Sequence, residues 1–280
     1  MTKGISVNVG LNKVTSNVFQ ATPLDGCEND ATAMRDLAIA QNFESTTLLI
    51  GPDASLEKVV NAVKDAATKL ESGDLFLFTF AGHGTFKVVP PSVEEMDEHD
   101  ESIVLTDHLM IDNMWRNELW PQFKAGVRAV AIADCCHSGS SLISDELPPL
   151  SHVGSHNKTD QWRQSRKPKP KVRELGSGEQ AKELAAFSKI YEQQLAANGN
   201  EIKCSRIFLS ACLDDQKASD GLKHGAFTQA LIDVWAEGGF QGDYNKLIEQ
   251  IALPFQNSPQ TPNLTAFGSP GFTNQKPFTV

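Results

Sequence analysis

Two short apolar runs, each stopped abruptly by a reactive side chain, set the limits on how this chain can fold. Leu75 to Phe80 reads LFLFTF and Val127 to Ala133 reads VRAVAIA. Nearly every position in these runs is apolar, whereas a strand with one wet face would alternate. Both runs therefore need cover on both faces, as the central strands of a parallel sheet have when helices pack on its two sides. The first run closes on Ala81-Gly82-His83-Gly84. The second closes on Asp134 and passes into Cys135-Cys136-His137-Ser138-Gly139-Ser140. In open α/β sheets, sites form outside the carboxyl ends of the strands. If the two strands are parallel neighbours, His83 and Cys136 emerge together, and a cysteine with an imidazole beside it is a nucleophile with its base.

The remaining chain supplies elements of the same kind. Ile5 to Leu11 is an opening strand, and Asp25 to Asp30 (DGCEND) turns into a helix with Asn29 or Asp30 as its cap and Met34, Leu37 and Ala38 on its buried side. Thr46 to Ile50 is a strand. A helix capped by Ser55 follows, with Val59, Val60, Val63 and Ala66 at helical spacing. Strand and helix alternate, which predicts an α/β fold whose mostly parallel sheet of about six strands carries helices on both faces. Glu94 to Glu101 (EEMDEHDE) reads as an acidic loop before the apolar piece Ile103 to Leu105, Met110-Ile111-Asp112 and an amphipathic stretch around Trp115, Leu119 and Trp120. Residues 144–180 are rich in Pro and Gly and carry a basic run from Lys158 to Arg173, the composition of an exposed linker. A helix from Glu179 to Leu195, a strand from Arg206 to Cys212, a helix from Phe227 to Trp235 and an irregular, Pro-rich tail over 253–280 complete the reading. One domain over 1–280 results, with a larger portion over residues 1–143, the linker over 144–180 and a smaller portion over 181–280.

Charge and cysteine usage exclude several classes. A net charge of -10 and a pI near 5.2 do not provide the positive field that nucleic acid requires. No apolar run approaches the ~20 residues of a membrane span, and MTKGISVNVG reads as a strand rather than a signal peptide. The expectation is a soluble, cytoplasmic protein. Five cysteines, an odd number, fit reduced thiols better than a disulfide framework.

An imidazole beside a thiol assists ionisation of the sulfur and later protonates the leaving amine. Gly84 and Gly139 let a substrate backbone approach, and the amides of Gly84 and Cys136 are candidates for an oxyanion hole. Among the acidic residues, Asp97, Asp100, Asp107 and Asp112 offer the hard oxygen ligands of Ca2+, with Asp100 and Asp112 the foremost candidates, although the spacing is not that of an EF-hand and a solvated charge run is the commoner explanation. No cofactor is required by the motifs. The basic run reads as a flexible connection, and less well as a nucleic-acid tail. Vicinal cysteines suit neither Cys-x-x-Cys redox chemistry nor the usual zinc spacing.

FTFAGHG followed by IADCCHSGS resembles the metacaspases, paracaspases and orthocaspases of the caspase-like cysteine peptidases, with His preceding Cys by about fifty residues. Gly26-Cys27-Glu28-Asn29-Asp30 is similar to the Gly-Cys-x-x-Asp segment of that family, and LSACLDDQKASD with GAFTQAL to its region after the last core strands. The resemblance implies a caspase-like fold and endopeptidase activity. In Asp-x-Cys-His-Ser-Gly the nucleophile is the cysteine before His, hence Cys136, with Cys135 on the opposite face of the strand end. Asp30, Asp134 and Cys27 would line the pocket for the residue before the scissile bond, and two carboxylates there select Arg or Lys. Ala81 stands where the family often has Ser, which removes one hydroxyl contact to the basic side chain. The family further implies protein or peptide substrates, calcium dependence in many members, an activating protein partner, and autocleavage, for which Arg163, Arg166, Lys167, Lys171 and Arg173 are candidates. A catalytically silent caspase-like interaction module is the alternative.

Overall fold

The computed structural model describes residues 2–14, 21–88, 99–136, 142, 151–154, 201–213 and 216–280; for 86–88, 99–100 and 151–154 only the backbone is considered. Among the described residues, ten strands and four principal helices follow one another as β1 (Gly4–Gly10), α1 (Cys27–Ala40), β2 (Ser45–Ile50), α2 (Leu56–Lys69), β3 (Leu75–Ala81), β4 (Gly84–Val88), β5 (His99–Val104), β6 (Leu109–Ile111), β7 (Arg128–Asp134), β8 (Ser151–Gly154), β9 (Ser205–Ser210), α3 (Ala226–Trp235), α4 (Tyr244–Ala252) and β10 (Asn263–Phe267). The main sheet has the order β2-β1-β3-β7-β9-β10-β8. Five strands from β2 to β9 run parallel, β10 is antiparallel to β9, and β8 is antiparallel to β10 at the edge. A mostly parallel six-stranded centre is thus present, with a seventh short strand beside it. β4, β5 and β6 form a separate antiparallel sheet.

The double cover expected for the apolar runs is what the sheet has. On one face Phe76, Phe78 and Phe80 of β3 and Ala129, Ala131 and Ala133 of β7 pack with Val59, Val63 and Ala66 of α2. The short helical turns after β6 complete that layer. Their Trp115 lies 4.6 Å from Phe78 and 4.8 Å from Trp120, ring centre to ring centre. On the other face Leu75 and Leu77 of β3 and Val130 and Ile132 of β7 meet Met34, Leu37 and Ala38 of α1, Phe227 and Leu231 of α3, and Leu247, Ile248 and Ile251 of α4. Truncating one such buried aromatic to Ala costs about 3–5 kcal/mol in typical cores. Ser55 caps α2 as read, its hydroxyl accepting from the Lys58 amide at 3.4 Å.

Several expectations need correction. Neither Asn29 nor Asp30 caps α1: its N-cap is Gly26, without a side-chain cap, and Asp30 lies inside the first turn. The acidic stretch is not a loop throughout, because His99 to Glu101 already belong to β5, where pairing with β4 overrides the polar composition. The tail is not irregular: Asn263–Phe267 is β10, buried at every position. The linker 144–180 contributes β8. The helix read over Glu179 to Leu195 lies outside the described residues.

Candidate active site

β3 and β7 are parallel neighbours in a register that pairs Ala81 with Asp134. His83 and Cys136 each lie two residues beyond that pair, so the two strands deliver them to the same carboxyl edge. The approach there is closer than any side chain allows. A Cβ on Gly84 would stand 1.9 Å from the Cys136 carbonyl oxygen and 3.1 Å from Cys135 Sγ. Alternation at the strand end sends the two cysteines apart: Cys135 joins the core on the α2 face and Cys136 the core on the α1 and α3 face.

The imidazole of His83 is oriented by a group that no side-chain motif announces. Its Nε2 lies 2.9 Å from the backbone carbonyl of Thr22, in the segment entering α1. A carbonyl only accepts, so Nε2 carries the proton in this bond and Nδ1 is the basic nitrogen of the neutral ring. Cys136 has its own backbone partner. The Ala218 amide donates to Sγ at 3.2 Å, and Sγ lies 3.8 Å from the Ala218 carbonyl. The amide supports charge on a thiolate and the carbonyl accepts from a thiol. Cys136 is 0 % and His83 1 % exposed. In this conformation the sulfur lies covered.

Asp30 and Asp134 converge on the start of α3. Asp134 Oδ2 accepts from the Thr228 amide at 3.0 Å and its hydroxyl at 2.7 Å. Both oxygens of Asp30 accept from the Gly225 amide, at 3.2 and 3.1 Å, and Oδ1 lies 2.9 Å from His224 Nδ1. Each carboxylate is buried, 1 % exposed. The first-turn amides and the positive end of the helix dipole offset the cost of holding that charge away from water. Asp220 ties the same segment to the start of α1 by accepting from the amides of Asp25 and Gly26 at 2.8 and 3.3 Å. Cys27 is buried in a small cluster with Leu24 and Ala81. Its carbonyl abuts β1, where a Cβ on Gly10 would come within 2.4 Å of it.

The sequence gives no role to Thr22, Ala218, Asp220, His224 or Thr228, although Ala218 and Asp220 lie in LSACLDDQKASD and Thr228 in GAFTQAL. Two of them act through backbone atoms, which leave no mark on composition, and the others sit in the stretch DGLKHGAFT, legible only as part of a family pattern. Of the calcium candidates, Asp112 is buried with Oδ1 accepting from the Asn113 amide at 2.7 Å. Asp100 lies on β5 with only its backbone described, and Asp97 lies outside the described residues. Asp107 accepts from the Leu56 amide at 2.8 Å, at the start of α2. Among the described residues no group of three or more His, Cys, Asp or Glu could hold a metal ion. His137, Ser138 and Gly139 and the proposed cleavage positions Arg163, Arg166, Lys167, Lys171 and Arg173 lie outside the described residues. Among the described residues no helix is long and apolar enough to cross a membrane.

The caspase domain model, Peptidase_C14, matches residues 11–269. Metacaspase-8 of Arabidopsis thaliana is 29% identical over 133 residues, 44% of this chain and 34% of that protein. An inactive metacaspase-4 of Trypanosoma brucei brucei is 25% identical over 209 residues, 70% of this chain and 50% of that protein. The chain thus spans half or less of the length of these curated relatives. A solved structure of a protein from Geobacter sulfurreducens superposes with a TM-score of 0.80 at 30% identity, covering 99% of both chains. Caspase-1 from Spodoptera frugiperda shares the fold alone, with a TM-score of 0.54 at 12% identity over 95% of this chain and 86% of that one.

Proposed function

The chain belongs to the caspase-domain family, and on that premise we propose that it is a cysteine endopeptidase that cleaves protein substrates after Arg or Lys. The observation that carries the proposal is the pairing of Ala81 with Asp134, which sends His83 and Cys136 out of one sheet edge two residues later. His83 takes the thiol proton at Nδ1 while Nε2–H is held on the Thr22 carbonyl. The thiolate of Cys136 adds to the scissile carbonyl, and the negative oxygen that forms is held by amides near Gly84 and Cys136. Collapse of that adduct breaks the C–N bond, and the imidazolium returns its proton to the departing amine. Water, deprotonated by the same imidazole, then hydrolyses the thioester and restores the thiol. Asp30 and Asp134, with Cys27 beside them, supply the negative charge that selects a basic side chain.

Covering of Cys136 by Ala218 implies an opening step before substrate binds. Cleavage within 158–173 or an activating protein would provide it, since an enzyme selective for basic residues finds sites at Arg163, Arg166, Lys167, Lys171 and Arg173. Calcium, with Asp100 and Asp112 as foremost candidates, is a further trigger that the peptide assay includes. A silent caspase-like module is the second reading, favoured by the buried sulfur and by the existence of an inactive relative.

The test is hydrolysis of fluorogenic peptides ending in Arg, Lys, Asp or Leu by the wild type and by Cys136→Ala, each with EDTA or with Ca2+. The proposal expects cleavage after Arg or Lys that disappears in the variant. Cleavage after Asp would refute the acidic pocket, and cleavage that survives in Cys136→Ala would refute the nucleophile. Absence of any cleavage, with the chain intact or cut, leaves either the silent module or an enzyme that awaits its activating partner.

A further inference from the structure

We propose that His224 is a specificity-determining residue of the basic-side-chain pocket: its imidazole holds the position on Asp30 that the cation of a substrate must take. The inference rests on the proposed preference for Arg or Lys. Asp30 is 1 % exposed, and its oxygens accept from the Gly225 amide and meet His224 Nδ1. The Gly225 amide belongs to the N-cap of α3 and cannot leave without unwinding the helix start. The imidazole can leave by rotation of one side chain. Its side chain is 10 % exposed, and the two residues before it, Leu222 at 91 % and Lys223, face solvent, so His224 stands between water and the buried carboxylate.

The neighbouring contacts hold this segment through its backbone and that of the turn before α1. Asn29 Nδ2 donates to the Lys223 carbonyl at 2.9 Å, and Asp220 grips the amides of Asp25 and Gly26. The segment can sit this close because Gly26 has no side chain; a Cβ there would lie 2.8 Å from the His224 carbonyl carbon. A guanidinium or ammonium entering the pocket must therefore replace the imidazole on Asp30. A protonated imidazole holds a carboxylate by a charge-assisted bond about twice as strong as that of a neutral donor. It also places a positive charge where the incoming one must go. A basic substrate therefore competes with His224 for Asp30.

The experiment measures KM and kcat of the full chain for peptide amides ending in Arg and in Leu. Wild type is compared with His224→Ala and with His224→Asn, which keeps a neutral donor. With the competing imidazole gone, the KM for the Arg peptide relative to that for the Leu peptide should fall severalfold in His224→Ala and less in His224→Asn. The change should fall on KM more than on kcat. A KM ratio unchanged by either substitution overturns the role of His224 alone. A wild type that cleaves only after uncharged or acidic residues overturns the basic preference and this inference with it. Should the variants unfold, the wild type decides by titration with agmatine, followed through the histidine resonances. Agmatine must bind and must shift the His224 signal. Binding without that shift refutes the proposal.

Discussion

Gly84→Ala is the most direct probe of the edge on which the site is built. The new Cβ would stand 1.9 Å from the Cys136 carbonyl oxygen, 3.0 Å from its carbonyl carbon and 3.1 Å from Cys135 Sγ, whereas ordinary contact begins near 3.4 Å. The overlap of about 1.5 Å is against backbone, so no side-chain rotation relieves it. Either β4 or the chain after β7 must move by more than about 1 Å, a displacement that costs on the order of 100-fold in rate when it falls between nucleophile and base. Overpacking of this kind destabilises by about 1–3 kcal/mol, and for a domain of this size that lowers the melting temperature by roughly 2–5 °C. Calorimetry and the Arg-peptide assay should register both effects, and Gly271→Ala, where a Cβ meets nothing within 4 Å, should register neither. A Gly84→Ala protein that melts and turns over like the wild type would refute the close approach of Gly84 to Cys136, and with it the argument for a shared edge.

Cys136→Ala should abolish cleavage and Cys135→Ala should retain most of it, read as initial rates on the same peptide; the opposite pattern would reverse the assignment that strand alternation supports. Tyr244→Phe should lower stability by about 1–2 kcal/mol in denaturant titration, because the buried Phe278 amide donates to the Tyr244 hydroxyl at 3.0 Å and loses its acceptor. Burial also pushes the Tyr244 phenol well above its usual value of 10.0, so the unfolded chain releases this proton first and wild-type stability falls as pH rises past that value. The variant should show a shallower alkaline decline.

What was legible in the sequence were the elements whose side chains speak for themselves. LFLFTF and VRAVAIA could only be doubly covered strands, and their shared register follows once they are neighbours. β10 was illegible because Asn263, Thr265 and the flanking Pro262 and Gly268 read as turn chemistry. Its strand state comes from β9 on one side, with β8 on the other. Asp30 was misread as a cap because its partner, the Gly225 amide, is 195 residues away. The Thr22 carbonyl on His83 could not have been found at all, since any residue type carries one.

The two carboxylates proposed for specificity also help fasten the last third of the chain to its first half. α3 reaches the sheet edge through amides and a hydroxyl donated to Asp30 and Asp134. Truncation of either would leave buried donors without acceptors, at about 1–3 kcal/mol for each orphaned group, before any substrate is considered. Lost activity in Asp30→Ala or Asp134→Ala therefore measures folding and binding together. Only a change in the ratio of Arg to Lys or Leu cleavage, in a variant that still melts cooperatively, belongs to the pocket. This double use also explains why His224 rather than Gly225 or Thr228 is the partner a substrate can displace. A helix start must stay hydrogen-bonded for the domain to hold, and a side chain at its margin need not.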